Sequence, residues 1–579
     1  MLRNQVYIFL AVICLFASLR AKEYRVNTAS GFTSAAAAIK AGDTITVLNG
    51  SYANWAMILT GTGTSSLPIL LRAESVGGVT LTGNSTIKFS GKYIIVNGFA
   101  FTSGYVPSDG VVEFRTSSIA FANNSRLTNT TVTDYSNPDT TIDSKYVSIF
   151  GQYNRVDHCY LAGKKNLGTT LVVWRPDTSA NYALIDSNYF GPRPPLGLNG
   201  GETIRIGTSD LCTSNSFSTV EHNYFEGCSG ELEIISSKSC GNVFRYNTFV
   251  NCVGTLTLRE AHRNSVYNNF FFGDKVSNAG AIRIIGEDHV VFNNYITGCA
   301  GTNYRTAIAM MNGIPNSPNA GYFQVKRAIV AFNTLVDNAH PFNIGVASDS
   351  TCTLTPVDCI FANNIVYGTK APLVAFPSTM PQNMTWKGNI FYGAATGFST
   401  LPDSNYIVDP IFLSADENGV VHIAAGSPAV NAALGSFDTL LVDMDGQLRD
   451  AIKDIGADEY STAVKVFVPL KPTDVGPRSV LTSVTKEKSP HDLGFDLFQN
   501  YPNPFNPSTT IRYSIPKQGF VTLKIFDSVG GEAFSLVNKE QPAGEYSIRV
   551  NAENLTTGVY YASLIFNGNS KTQKLLLLK

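Results

Sequence analysis

Between residues 188 and 365 an asparagine recurs ahead of aromatic or aliphatic residues: Asn188-Tyr-Phe, Asn223-Tyr-Phe, Asn247-Thr-Phe, Asn268-Asn-Phe, Asn293-Asn-Tyr, Asn333-Thr-Leu and Asn363-Asn-Ile. Asn223, Asn247, Asn268 and Asn293 are 24, 21 and 25 residues apart, a period in the low twenties. A unit of that length holds about three short strands and three turns. It is too short for a propeller blade, and no leucine-rich consensus accompanies it. A β-sandwich would alternate strands without an in-phase Asn-aromatic step. The pattern therefore predicts an all-β chain built on a right-handed parallel β-helix. Coils stack at strand spacing, apolar side chains fill the bore, and asparagines stack at the turns, where they tolerate left-handed backbone. The 40 residues from Asn293 to Asn333 mark a loop inserted at one corner.

The repeat runs from about residue 90 to 395, inside a β-helix domain expected over 22–460. Ser34–Lys40 reads as a short helix capping the first coil, followed by a strand within Gly42–Gly50. Residues 1–21 read as a signal peptide: Arg3 flanks an apolar core from Val6 to Phe16, and small residues lead to Ala21. Residues 461–494 turn to Lys, Pro, Ser and Thr without period, which predicts a linker. Alternating runs in 495–579, such as Val521–Phe526 and Tyr546–Val550, predict a C-terminal β-sandwich of about seven strands.

Net charge is −1 and only 15% of residues are charged, so neither nucleic acid nor an acidic membrane is indicated as a partner. Beyond the leader no stretch is long and apolar enough to span a bilayer. Eight cysteines follow it, an even number that permits disulfides, with Cys352–Cys359 the most local pair. Cys228 and Cys252, each just after an Asn-aromatic step, read better as buried free thiols in a ladder.

The chemistry gathers in Gly230-Glu-Leu-Glu-Ile-Ile-Ser-Ser-Lys238 and, one repeat on, Thr255-Leu-Thr-Leu-Arg259. Glu231 and Glu233 are two apart and share one strand face, with Lys238 just past the strand end. In-phase stacking predicts a column of Arg205, the two glutamates, Arg259 and Arg283 on the outer surface. The plain alternative is a solvated strand face with ordinary salt bridges. The chemical reading is elimination across a uronic-acid linkage, in which the weakly acidic C5 proton must be removed. A cation on the sugar carboxylate stabilises the enolate-like intermediate, and Ca2+ prefers oxygen ligands of the kind Glu231, Glu233 and an Asn carbonyl provide. A lysine serves as base where burial and neighbouring positive charge favour its neutral form. Outward arginines suit an extended polyanion.

Four motifs in order carry a resemblance: Asn199-Gly-Gly-Glu-Thr-Ile-Arg-Ile-Gly207, Glu231-Leu-Glu-Ile-Ile-Ser-Ser-Lys-Ser239, Thr257-Leu-Arg259 and Gly280-Ala-Ile-Arg-Ile-Ile-Gly286. Over roughly residues 24–460 the chain is similar to polysaccharide lyase family 6, the alginate lyases and dermatan-cleaving chondroitinase B. The resemblance implies Lys238 as base and Arg259 as acid, and Asn199, Glu231 and Glu233 as Ca2+ ligands. It further implies that Arg205 and Arg283 contact substrate carboxylates. The family usually has His then Gly after the arginine; here Glu260-Ala261 precede His262, and an acid there alters the charge of a subsite. Lys164 and Lys165 are candidate extra contacts. The C-terminal Phe495–Ser508 segment, Gly558-Val-Tyr-Tyr and Lys571-Thr-Gln-Lys-Leu are similar to the sorting domain of type IX secretion, which implies delivery to the surface or medium. The expected function is secreted, Ca2+-assisted alginate cleavage favouring mannuronate-containing stretches. A dermatan sulfate lyase, a polyanion-binding β-helix adhesin and a β-helix glycoside hydrolase are the rivals.

Overall fold

The computed structural model describes residues 21–197, 199–438, 440–477 and 495–578, except 499, 501–502, 504, 528–530, 542–543 and 567–568. The leader expected over 1–21 lies, apart from Ala21, outside the described residues. Each coil contributes one short strand to each of three parallel sheets, of 14, 13 and 14 strands. One coil holds Thr219–Glu221, Tyr224–Glu226 and Glu233–Lys238, and the next holds Val243–Arg245, Thr248–Val250 and Gly254–Leu258. Val220 pairs with Phe244, Phe225 with Phe249 and Ser236 with Thr257. The expected right-handed parallel β-helix is therefore the fold. Its bore is closed by like stacked on like: Phe190, Phe225, Phe249 and Phe271 lie with ring centroids 4.9, 4.5 and 4.5 Å apart.

The asparagine ladder differs in detail from the sequence reading. Side-chain amides run from Asn188 through Asn223, Asn247, Asn269, Asn294, Asn333, Asn364 and Asn389 to Asn405, each Nδ2 donating to the next Oδ1 at 2.8–3.1 Å. In the Asn-Asn pairs it is the second residue that stacks. Left-handed backbone belongs to the residue before: Ser187, His222, Tyr246, Asn268, Asn293, Phe332 and Asn363 all have φ between 52° and 57°. That turn aims the following amide into the sheet, where it joins three coils. Asn269 is fully buried, accepts from the Asn247 main-chain N–H at 3.0 Å and donates to Phe244 O. Asn269→Ala strands several buried groups at once, and a loss of about 3 kcal/mol in chemical unfolding is expected.

The capping helix spans Ala29–Ala38, starting five residues earlier than its alanine run suggests, because the Thr28 hydroxyl accepts from Gly31 N at 3.1 Å. Its Phe32 seats edge-on against Trp55, covering the first coil. The eight cysteines among the described residues are all buried and free, so Cys352–Cys359 is not a disulfide; Cys228 and Cys252 are the expected buried thiols. Residues 461–477, expected as linker, instead lie on the β-helix: Phe467 stacks on Tyr246, and Leu470 N donates to Thr248 Oγ1 at 2.8 Å. Phe467, Pro469 and Leu470 are the residues that pack there, while Val464, Val466 and Val468 stay exposed, and the Lys/Pro/Ser content disguised that contact. The C-terminal unit has two antiparallel sheets, of three and four strands, around its own core of Tyr513, Leu523, Leu564 and Leu575.

Candidate active site

Five neighbouring strands of the 13-stranded sheet carry the candidate residues: β1 (Ile204–Gly207), β2 (Glu233–Lys238), β3 (Gly254–Leu258), β4 (Ala279–Ile284) and β5 (Ile308–Met311). Their register puts Arg205, Ser236, Thr257, Arg283 and Ala309 in one row. Glu233 instead pairs with Thr255, and Arg259 follows the end of β3. The single column expected from the spacings is thus three neighbouring rows. A bulge between Glu233 and Ile235 sets the acids off from the arginine row. The rows still share one face. Acids lie at the N-terminal ends of the strands, Lys238 and Arg259 at the C-terminal ends, and Arg205 and Arg283 between.

At the first end, oxygens of Glu202, Glu231 and Glu233 lie within 4.8 Å of one another. Glu202 was not among the residues picked from sequence. It precedes Glu233 by 31 residues, the offset of the Ile204–Ile235 pairing, so the period itself held the signal. Gly201 sits so close to Gly230 that an added Cβ would stand 2.6 Å from the Gly230 carbonyl, which lets the two acidic turns meet. Asn199 is exposed on the same turn, one residue before Gly200, whose N–H donates to Glu231 Oε2 at 3.0 Å. Burial, then Glu202 and Glu233, pushes the Glu231 carboxyl up to about 8. Burial also raises Glu202, with Arg205 pulling against it and Glu233 adding to it. Glu202 Oε2 is buried without a protein partner. Three crowded carboxylates with an unsatisfied oxygen form a donor set that suits a hard, oxygen-seeking cation such as Ca2+.

Positive charge interlocks with these acids. Arg283 Nη1 and Arg259 Nε stand 3.4 and 3.5 Å from Glu233 Oε1. Arg259 Nη1 also donates to Gly321 O at 2.9 Å, and its guanidinium lies 4.3 Å from the centre of the Tyr322 ring. Tyr322 accepts from Arg283 Nη2 at 3.1 Å. That tyrosine sits in the long insertion after β5, which reaches back four strands: Asn319 Nδ2 donates to Asp210 O at 3.2 Å. Arg283, with a side chain only 2% exposed and flanked by Tyr304 and Tyr322, is therefore no surface contact for a substrate carboxylate. It holds Glu233 instead. Arg205 is half-buried over Trp174 at 5.1 Å.

Glu260 does not line a subsite. Its side chain is 2% exposed, and Oε1 lies 3.7 Å from both Lys238 Nζ and Arg259 Nη1. His262 is built into the turn, its Nδ1 accepting from Glu287 N at 3.1 Å. Lys164 is buried and donates to Asn166 O, Asn166 Oδ1 and Leu167 O at 2.7–3.0 Å, burial holding its amine down at about 6. It is a structural strut; Lys165 is the exposed one, paired with Asp134.

The family model for chondroitinase B matches residues 26–427, well over half of the chain. The chain belongs to polysaccharide lyase family 6. Among solved structures, this family 6 chain is 34% identical to the PL6 family alginate lyase AlyGC, with a TM-score of 0.67, covering 77% of this chain and 59% of that one. The chain thus spans less than two thirds of that structure. A mannuronic acid specific family 6 lyase from human gut microbiota is 28% identical (TM-score 0.56, 64% and 86% covered). The family 6 lyase Pedsa3628 from Pseudopedobacter saltans, at 24% identity and a TM-score of 0.57 over 66% and 96%, shares the fold. No curated protein sequence matches. Residues 499–578 match a secretion system C-terminal sorting domain, which directs this lyase-family chain to the cell surface or beyond. No helix among the described residues is long and apolar enough to cross a membrane.

Proposed function

We propose that the chain cleaves alginate, with preference for mannuronate-containing stretches, by β-elimination. The observation that carries this reading is the acid cluster and the Lys238–Arg259 pair on one sheet face, joined through Glu233 and Glu260. Lys238, 18% exposed at the C-terminal end of β2, takes the C5 proton. The C5–H electron pair becomes the C4–C5 double bond, the C4–O bond breaks, and the leaving oxygen takes a proton from Arg259. Arg205 gives the sugar carboxylates a fixed positive partner. Glu202, Glu231 and Glu233, with Asn199 alongside, would hold Ca2+, whose charge when bound offsets that of the uronate carboxylate.

Alginate as substrate is supported by the likeness to AlyGC, an alginate lyase, and to the mannuronic acid specific lyase. The chondroitinase B family name keeps dermatan sulfate as the second reading. The test is to incubate the full chain with alginate and with dermatan sulfate, with and without chelator, and follow ultraviolet-absorbing unsaturated ends. Release from alginate that stops on chelation is expected. Release from dermatan sulfate alone reverses the substrate assignment, and binding without release makes the chain an adhesin.

Tyr322 adds a prediction. Tyr322→Phe keeps the ring on Arg259 but removes the acceptor of Arg283, whereas Tyr322→Ala removes both. We expect kcat/KM on alginate to fall about 3-fold for Phe and about 30-fold for Ala.

A further inference from the structure

A buried carboxylate whose charge is met only at arm's length stands between the two reacting side chains. Glu260 directly follows Arg259, and its main-chain N–H donates to Ser237 O at 3.3 Å, in the coil that carries Lys238. The residue is 1% exposed, so it cannot touch a polysaccharide. Oε1 is 3.7 Å from Lys238 Nζ and 3.7 Å from Arg259 Nη1, within ion-pair reach but too long for hydrogen bonds. Oε2 is buried with no partner at all. Its charge adds to the burial that raises the Cys212 thiol. Burying a carboxylate with so little compensation costs several kcal/mol, and a hydrophobic residue would fill the space more stably.

We propose that Glu260 is a positioning residue for the elimination: from its buried position after β3 it holds Lys238 and Arg259 side by side and balances the positive charge that appears on Lys238 as it takes up the proton. This rests on the lyase reading. The logic is that of a base oriented by a third group, which acts on the charged species formed during the reaction. As Lys238 takes the proton it becomes a second cation beside Arg259, and a negative oxygen 3.7 Å from both offsets their repulsion. Once the carboxylate is neutral, Lys238 loses its ion-pair partner and is free to swing away from Arg259, which Glu233, Gly321 and Tyr322 still hold.

The experiment compares wild type, E260Q, E260D and E260A as full chains on polymannuronate, measuring kcat and KM alongside thermal melting and calorimetric Ca2+ binding. Melting fixes a temperature at which every variant is folded, and kinetics are read there. For E260Q, kcat should fall between about 10- and 100-fold while KM and Ca2+ affinity stay within about twofold. E260D, which keeps the charge on a shorter stem, should recover most of what glutamine loses, and E260A should be no better than E260Q. The inference is overturned if E260Q keeps wild-type kcat, if Asp and Gln are equally impaired, or if kcat and Ca2+ affinity fall together while KM rises, as a packing role requires. Wild-type protein that releases no unsaturated ends from polymannuronate, alginate or dermatan sulfate overturns the lyase reading instead, a result read before any variant is made.

Discussion

Lys238→Ala should abolish turnover on alginate, by about 1,000-fold or more, while the protein melts close to wild type and still binds Ca2+. Lys238 ends β2 with a side chain 18% exposed, and its ion-pair partner, at 3.7 Å, is Glu260. Little packing is lost on truncation, and Arg259 remains to face Glu260. The acid cluster lies at the other end of the strands and keeps its own arginines, Arg259 and Arg283. Steady-state kinetics, melting and metal binding on one preparation separate the roles. Full activity in Lys238→Ala would remove the base from the mechanism. Loss of Ca2+ binding along with activity would mean that lysine supports the acids rather than the chemistry.

The second large effect concerns the cation. Folding raises the Glu231 carboxyl from about 4.5 to about 8 through burial and the neighbouring Glu202 and Glu233. Over that window the metal-free native state keeps a proton that the unfolded chain has released. The unfolded state then binds fewer protons, so this group makes stability fall as pH rises from about 4.5 to about 8. A cation needs the ionised carboxylates, so Ca2+ binding releases protons and stabilises more at the upper end of the window. Melting curves at roughly pH 5 and pH 8, with excess chelator or with Ca2+, should show a larger Ca2+ increment at pH 8. The Glu231→Gln variant should lose most of that difference, and the same increment at both pH values would contradict the assignment. Asp443 and Asp458, raised by burial to about 6 and about 7, add slopes of the same sign, and the Glu231→Gln comparison separates the Glu231 share from theirs.

The coil architecture was legible because a parallel β-helix writes its period into the chain: each turn must repeat the same small set of conformations. What the period could not give was which asparagine of a pair stacks, since both Asn268 and Asn269 satisfy the pattern and only the left-handed turn decides. The same limit applied at the site. Spacings of 24–28 residues placed the charged side chains on one face, but the bulge at Glu233 moved the acids out of the arginine row. Glu202 was masked by Arg205, three residues on in the same motif. Tyr322 was beyond reach from sequence, because the insertion after β5 carries no repeat, and its return across four strands depends on contacts such as Asn319 with Asp210. From sequence Glu260 alters the charge of a subsite, whereas the turn after β3 points it inward. No local pattern separates those two outcomes.

The most direct measurement is the mass of the cut ends. Polymannuronate digested by the wild-type chain with Ca2+, in water carrying a heavy oxygen isotope, should yield oligosaccharides lighter by one water than hydrolysis products, with no heavy oxygen in the new ends. Saturated ends that have gained solvent oxygen would show that water, not proton removal by Lys238, breaks the linkage.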